Sequence, residues 1–412
     1  MHLSKQVFLI YIFLGSLGIN ASSALAQSQV TYKQVEAVLR PIVVEKAEWA
    51  LLQEPVTVTA NHASRSAGGI HDFYSEGDYW WPNPEDPDGP YIQRDGMTNP
   101  DNFTAHREAM IRFSQIIGAL ASAYKITGDE KYAAHAFTHL YAWFVDPDLK
   151  MNPSLNFAQA IKGRVTGRGI GIIDTIHLME VAQGLEVVQG SIAADPDLVL
   201  EIKKWFGDYL TWLTTHPYGR DESATKNNHA TCYYMQVASF AKLTANKDLL
   251  EMCRDEFENR LLPNQMAENG SFPLELDRTK PYGYSLFNLD AMTTLAWILT
   301  DGSRNMMNFE TASGKSIPQG ISFLSPYVQD KSNWPYSKDV MYWDNWPVAH
   351  PFLLFGALNF DNSEWFELWK QLDHDPEIPE VVRNLPIRNP LIWMKKDLSG
   401  FLGCEYSGTS SR

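Results

Sequence analysis

The sequence predicts an all-α protein: an α/α toroid, incomplete or closed, of roughly five to seven helical hairpins, with a long N-terminal lid loop. Three observations carry that expectation. From about residue 106 onward, apolar residues recur at three- and four-residue spacing in segments of roughly 15 to 20 residues, the signature of amphipathic helices. Strand-type alternation is scarce there. The helical segments also lack a fixed period of about 34 or 40 residues, which argues against a regular recognition solenoid and for a ring of inner and outer helices with functional loops at one rim.

Taken in order, the first helix is expected over 30–53. Residues 54–102 then break the helical pattern with Pro, Gly, Asp and aromatic residues, and a loop that long inside a compact domain is usually functional. His106 to Tyr124 reads as a helix, Thr127-Gly128-Asp129-Glu130 as a turn, and Glu130 to Phe144 as the antiparallel partner. Further helices are expected at 170–189, 196–215, 228–244, 248–262, 284–301, 315–329, 346–358 and 362–373, which makes eleven.

Composition narrows the class. The chain has 412 residues, 44% hydrophobic and 20% charged, with 26 Gly and 23 Pro, which excludes disorder, collagen-like repetition and a disulfide-dense miniprotein. Lys5, the apolar run from Val7 to Leu17 and the small-residue site Ala24-Leu25-Ala26 have the layout of a secretory signal, so cleavage is expected after Ala26, giving an exported, periplasmic or secreted protein. Residues 27–412 are then expected to form a single toroid domain. No Cys follows the apolar run, and no later stretch approaches the roughly 18 apolar residues that span a bilayer, so no membrane anchor is expected. Three cysteines, Cys232, Cys253 and Cys404, allow at most one internal disulfide. The formal charge of −15 speaks against nucleic-acid binding. An acidic ligand would need positive groups gathered locally in a cleft.

Within the long loop, Asn61 to Gly69 and His71-Asp72-Phe73-Tyr74-Ser75-Glu76-Gly77-Asp78-Tyr79-Trp80-Trp81-Pro82 read either as a self-packed cover or as a lid. In the lid reading, aromatics stack on sugar rings and Arg65 meets a carboxylate. Tyr79, Trp80 and Trp81 cannot all face inward, so at least one should line the cleft. His62, His71, Asp72 and Asp78 lack the spacing of a tetrahedral metal site, and neither a metal nor another cofactor is expected; a structural calcium at Asn83 to Asp88 is compatible but not required. The glycine-rich run Gly163 to Gly171 lacks the Gly-Lys-Ser/Thr ending of a phosphate loop. It reads as a loosened start to the helix at 170–189, with Arg164 or Arg168 available to a polyanion cleft.

Lys226-Asn227-Asn228-His229-Ala230-Thr231-Cys232 lies where a helical pattern begins. Capping explains Asn227 or Asn228, but not both. A His in the first helical turn meets the positive dipole end, which favours a neutral base near pH 7. Downstream, Arg278, Lys280, Tyr282 and Tyr284 stand at the mouth of the next long helix. Together these residues supply a carboxylate clamp, a base and a phenolic acid, the parts needed for β-elimination from a uronic acid. Removing the C5 proton creates a carbanion beside a carboxylate, so that charge must first be neutralised. A base must then reach C5, an acid must protonate O4, and a cation such as Arg278 can lower a Tyr pKa so that the phenol shuttles protons. Cys232, one turn after His229, reads as a buried inert thiol rather than a nucleophile.

At these residues the sequence resembles the alginate lyase family of helical-toroid polysaccharide lyases. It is most similar to the type grouped as polysaccharide lyase family 38 and is distantly similar to family 5. The runs that carry the likeness span about 55–395: HDFYSEGDYWWPNP, NPDNFTAHREA, GRGIGIIDT, NNHATCYY, FPLELDRTKPYGYSLFNLDAM and the Trp-Pro segments near Trp334 and Trp346. The resemblance maps the family's Asn-His pair onto Asn228 and His229, its Arg onto Arg278 and its catalytic Tyr onto Tyr284, with no metal. It implies that Tyr is the acid, and also the base where proton and O4 leave on the same side, while His is the base where they leave on opposite sides. Arg278 to Tyr284 is one residue shorter than the family 5 spacing and Tyr282 lies close by, so the acid is Tyr284 or Tyr282.

The implied activity is cleavage of β-1,4 bonds in a polyuronate, alginate first, leaving a 4,5-unsaturated uronate end. Substrate contacts are expected from Arg65, Tyr79, Trp80, Trp81, Asn227, Lys280 and Tyr282. Three rivals remain: a glucuronan lyase with the same mechanism; an α/α-toroid glycoside hydrolase using paired carboxylates such as Glu275, Asp277 and Asp290; and a non-catalytic sugar-binding protein.

Overall fold

The computed structural model describes residues 30–396, so the signal sequence and Cys404 lie outside the described residues. The chain folds as an α/α toroid. Helices α1 (Tyr32–Leu51), α2 (Ala105–Thr127), α3 (Glu130–Phe144), α4 (Leu178–Val188), α5 (Pro196–Thr215), α6 (Pro217–Ser223), α7 (Asn228–Leu243) and α8 (Lys247–Glu256) are followed by the short α9 (Leu262–Gln265) and α10 (Pro273–Leu276). Then come α11 (Pro281–Leu299), α12 (Ile317–Gln329), α13 (Pro351–Phe360), α14 (Ser363–Lys370) and α15 (Pro379–Arg383). None of these helices is long and apolar enough to cross a membrane.

Inner and outer helices differ in sequence because they differ in what surrounds them. α2, α4, α7, α11 and α13 pack side by side in that order and form the inner wall. Every residue of α11 is buried, as are Pro351 to Leu358 of α13. A helix enclosed on all sides has no polar face to offer. α3, α5, α8, α12 and α14 lie outside and bury a stripe each, such as Ile202, Trp205, Phe206, Tyr209, Leu210 and Leu213 of α5. Aromatic stacking joins the layers, as Phe113 of α2 does on Trp143 of α3 at 4.7 Å, and joins neighbours within the inner wall, as Trp297 does on Phe355 at 4.5 Å between ring centres.

Departures from the expected helices have local causes. The segment expected as one helix at 170–189 is a 3₁₀ stretch, Gly169–Thr175, before α4. A Cβ on Gly171 would lie 2.4 Å from the Ala158 methyl, so the glycines serve close packing. The helix expected over 248–262 leaves α-geometry at Phe257 for a π-turn, followed by α9, whose Pro263 cannot donate to the preceding turn. That expected at 346–358 begins at Pro351 instead, because Pro347 also bars helical geometry at Trp346.

The long loop is more ordered than its composition suggests. It holds strands β1 (Tyr74–Glu76), β2 (Trp80–Trp81) and β3 (Ile92–Gln93). β1 runs parallel to β4 (Phe157–Ala160), and β2 pairs antiparallel with β3, setting Trp80 opposite Gln93. Asp78, at the bend between β1 and β2, is the buried anchor. It receives both outer nitrogens of Arg107 on α2 (2.8 and 3.1 Å), and Arg383 of α15 lies 3.1 Å away. Burial alone would raise this carboxyl, but Arg107 and Arg383 outweigh it and hold it at about 2. The loop is thereby tied to the inner wall across the mouth of the ring.

Candidate active site

The tie places Tyr79, Trp80 and Asp95 over the ends of α7 and α11, and the cleft between them is lined by Asn228, His229, Arg278 and Tyr284 together with Gln159, Arg168 and Arg383. The four residues proposed for chemistry therefore face one hollow.

Each is held by a partner from a distant segment. His229, in the first turn of α7, directs Nδ1 at Glu222 of α6 at 2.6 Å, while among the described residues no hydrogen bond engages its Nε2. Glu222 is 1% exposed, so the carboxylate sits behind the ring and the ring faces the cleft. An Nδ1–H donated to this carboxylate leaves the Nε2 lone pair outward. Asn228 donates its backbone N–H and its side-chain amide to the two oxygens of Glu275, both at 2.8 Å. That contact orients the amide, leaving its second N–H for the cleft. Burial raises the Glu275 carboxyl, and the two Asn228 bonds oppose the rise. Neither asparagine caps α7 with its side chain: Asn227 is the cap residue but makes no such bond, and it does not line the cleft.

Tyr284, one turn into α11, is 8% exposed and donates its hydroxyl to that of Tyr79 at 2.8 Å. The Arg278 guanidinium lies 4.4 Å from the centre of its ring, with Nη2 3.4 Å from the phenol oxygen. Burial, then Tyr79, push the phenol well above its ordinary range, and the opposing pull of Arg278 is smaller. Arg278 pulls the phenol down as expected, but burial and Tyr79 outweigh it, so the resting phenol keeps its proton. Arg278 is also not an open clamp, because Asp95 on the loop accepts from its Nη2 (2.7 Å) and Nε (3.2 Å) and from Thr279 (2.9 Å). Gly96, at φ +72°, forms that tight tip, where a Cβ would come within 2.3 Å of the Thr279 hydroxyl. The Asp95 carboxyl, which burial would raise, is lowered by these bonds.

Several expected contacts fall elsewhere. Tyr282 is wholly buried, donating its hydroxyl to the Tyr327 carbonyl at 3.0 Å and packing on Trp334, so of the two tyrosines only Tyr284 reaches the cleft. Two residues along a helix are about 200° apart, so both could not face it. Lys280 is buried behind the site, paired with Glu380 and within 5.2 Å of the Tyr284 ring centre. Trp81 points away, donating to the Met97 carbonyl, and Arg65 is paired with Glu76 in a separate groove. Three of the four residues weighed as a metal site go to separate partners: Asp72 to Asn152, His71 to the Lys150 carbonyl, Asp78 to arginines. Cys232 is fully buried and its thiol is raised well above the usual range by that burial, which makes it inert.

Glu222, Asp95, Gln159 and Arg383 were not anticipated, and Glu275 was expected only as a hydrolase carboxylate, not as the partner of Asn228. Only Glu275 left a usable signal, lying three residues before Arg278 and so on the same side of a helical turn.

A profile described as alginate lyase matches residues 57–334. No curated protein matches the chain. Among solved structures, an alginate lyase from Bacteroides ovatus is 31% identical, with a TM-score of 0.74 over 88% of this chain and 96% of that one. Alginate lyase A1-III from Sphingomonas species A1 is 16% identical, with a TM-score of 0.54 over 89% and 95% of the two chains. A His-to-Ala variant of A1-III complexed with tetrasaccharide is 15% identical, with a TM-score of 0.55 over 86% and 94%. At that identity, the last two speak to the fold alone.

Proposed function

The chain belongs to the alginate lyase family, and on that premise we propose that it is a polysaccharide lyase that cuts the β-1,4 bonds of alginate by metal-independent β-elimination, with Asn228, His229, Arg278 and Tyr284 as the working groups. Residues 27–412 act as one toroid domain, exported after removal of the leader. The reading is carried by one observation: an amide, an imidazole, a guanidinium and a phenol line a single cleft.

The chemistry follows from their surroundings. The free N–H of Asn228 and the guanidinium of Arg278 meet the uronate carboxylate, drawing charge from C5 so that its proton becomes acidic. His229 Nε2 takes that proton, and Glu222 behind it stabilises the imidazolium that forms. Tyr284 gives its proton to O4 instead of to Tyr79, and the phenolate left behind is stabilised by Arg278 and Lys280 beside its ring. This route takes proton and leaving group on different sides. Where both depart on one side, Tyr284 must first surrender its proton, which its raised pKa opposes.

A hydrolase reading fits less well. It needs a carboxyl that holds a proton and a second that is ionised in the same cleft. Asp78 and Asp95 line the cleft, but both are pulled below the usual range by arginines. Asp290 is buried against His350, and Glu275 is taken by Asn228.

Incubation with alginate, glucuronan and glycosaminoglycans should give ultraviolet absorbance from a new C4=C5 bond conjugated to the carboxylate, strongest on alginate. New reducing ends without that absorbance would indicate hydrolysis, and binding without either product would indicate a sugar-binding protein.

A further inference from the structure

Beside the cleft lies a wider groove whose walls include Arg65, Lys162, Arg164 and Tyr218. The two hollows share a partition. Trp80 lines the cleft, and its indole lies 5.8 Å from the guanidinium of Arg168 on the cleft side and 5.1 Å from that of Arg164 on the groove side. Chain neighbours divide the same way: Gln159 and Arg168 border the cleft, Ala160 and Gly167 the groove.

The charges in the groove are presented rather than consumed. Lys162 and Arg164 are both exposed. Lys162 rests over the Tyr91 ring at 5.6 Å, and Arg164 donates Nε to the Tyr91 carbonyl at 2.7 Å while lying on Trp80. Aromatic faces and a carbonyl hold these cations in place, and neither has a carboxylate partner among the described residues. The groove's own acid, Glu76, is occupied by Arg65. In a chain of net charge −15, two exposed cations held side by side next to the cleft make a local positive patch that an anionic polymer would meet.

We infer that this groove binds the uronate units that continue beyond the one being cleaved, so that the polymer crosses Trp80 from the cleft onto Lys162 and Arg164. The inference rests on the lyase reading above. Each further unit brings one carboxylate, and rim cations of this kind raise encounter rate and add modest affinity that accumulates along the chain. Long substrates therefore gain over short ones, and cleavage inside chains gains over cleavage at ends.

The test compares kcat/KM for alginate polymer with that for the shortest oligosaccharide cleaved, read by product absorbance, in the wild type and in Lys162→Gln/Arg164→Gln. The ratio is expected to fall about tenfold in the double variant, with a flatter dependence of the polymer rate on salt. Arg164→Glu alone should lower the ratio as well. Both sites are exposed, and circular dichroism verifies folding. An unchanged ratio in an active, folded double variant overturns the groove and leaves the lyase reading standing. Absence of cleavage on any uronan by the wild type sinks the lyase reading and the groove with it.

Discussion

Two histidines are held in the same way and placed in opposite surroundings. His229 and His350 each set Nδ1 2.6 Å from a buried carboxylate, Glu222 in one case and Asp290 in the other. The His229 side chain keeps 18% of its surface, with Nε2 toward the cleft. His350 keeps none: it is stacked between Trp346 and Phe352, and its Nε2 accepts the Val348 N–H at 3.4 Å. A carboxylate behind an imidazole thus does not make a catalytic pair. What the second nitrogen meets decides, and only His229 has it available to a ligand.

Substitution can break this contrast. The largest effect is expected from His229→Ala, a loss of about 10³-fold or more in kcat/KM with the unfolding midpoint nearly unchanged. Retention of the full rate would remove His229 as the base. Tyr284→Phe should cost about 10²- to 10⁴-fold, whereas Tyr282→Phe removes one buried hydrogen bond, worth about 1 kcal/mol in urea unfolding, and spares the rate. The reverse pattern would move the acid to Tyr282. His350→Ala is expected to destabilise the protein by about 3 kcal/mol, because Asp290 would be left buried without its partner. Glu222→Gln tests whether the carboxylate matters through the ring, with a drop of about 10²-fold in kcat expected and a smaller change in KM.

The smallest effect is a pH dependence of stability at the start of α11. Asp339 accepts the N–H groups of Tyr282 and Gly283, both at 2.9 Å, yet burial raises its carboxyl to about 6 despite those bonds. The folded state then holds a proton that the unfolded chain has already released, so stability from this group is present below about pH 4 and is lost as pH rises through 6. Relative to Asp339→Asn, the wild type should lose on the order of 2 kcal/mol between those limits, measured by urea unfolding at each pH. A parallel pair of curves would show that Asp339 ionises normally.

Much of the ring was legible in the sequence, because helices such as α2, α3, α5 and α7 carry regular apolar spacing over many turns. The helices that finish the site were not. Glu222 comes from α6, seven residues long, and Arg383 from α15, five residues long, and neither spans enough turns to establish a period. Asn228, His229, Arg278 and Tyr284 were legible as candidates and the fold gathers them in one cleft, while the contacts that hold them were hidden because each comes from another segment. Asp95 lies 183 positions from Arg278, and nothing local in the chain marks the pairing. Tyr282 and Tyr284 were separable in principle, since two positions along a helix point to different sides.

The Asp95 contact changes what occupancy of the cleft means. With a carboxylate already on Arg278, a sugar acid bound as the proposed mechanism requires would swap one anion for another, and the guanidinium would contribute only the difference between the two. Such an exchange keeps the grip on any single unit shallow, so the shortened fragment can leave quickly once the bond is cut.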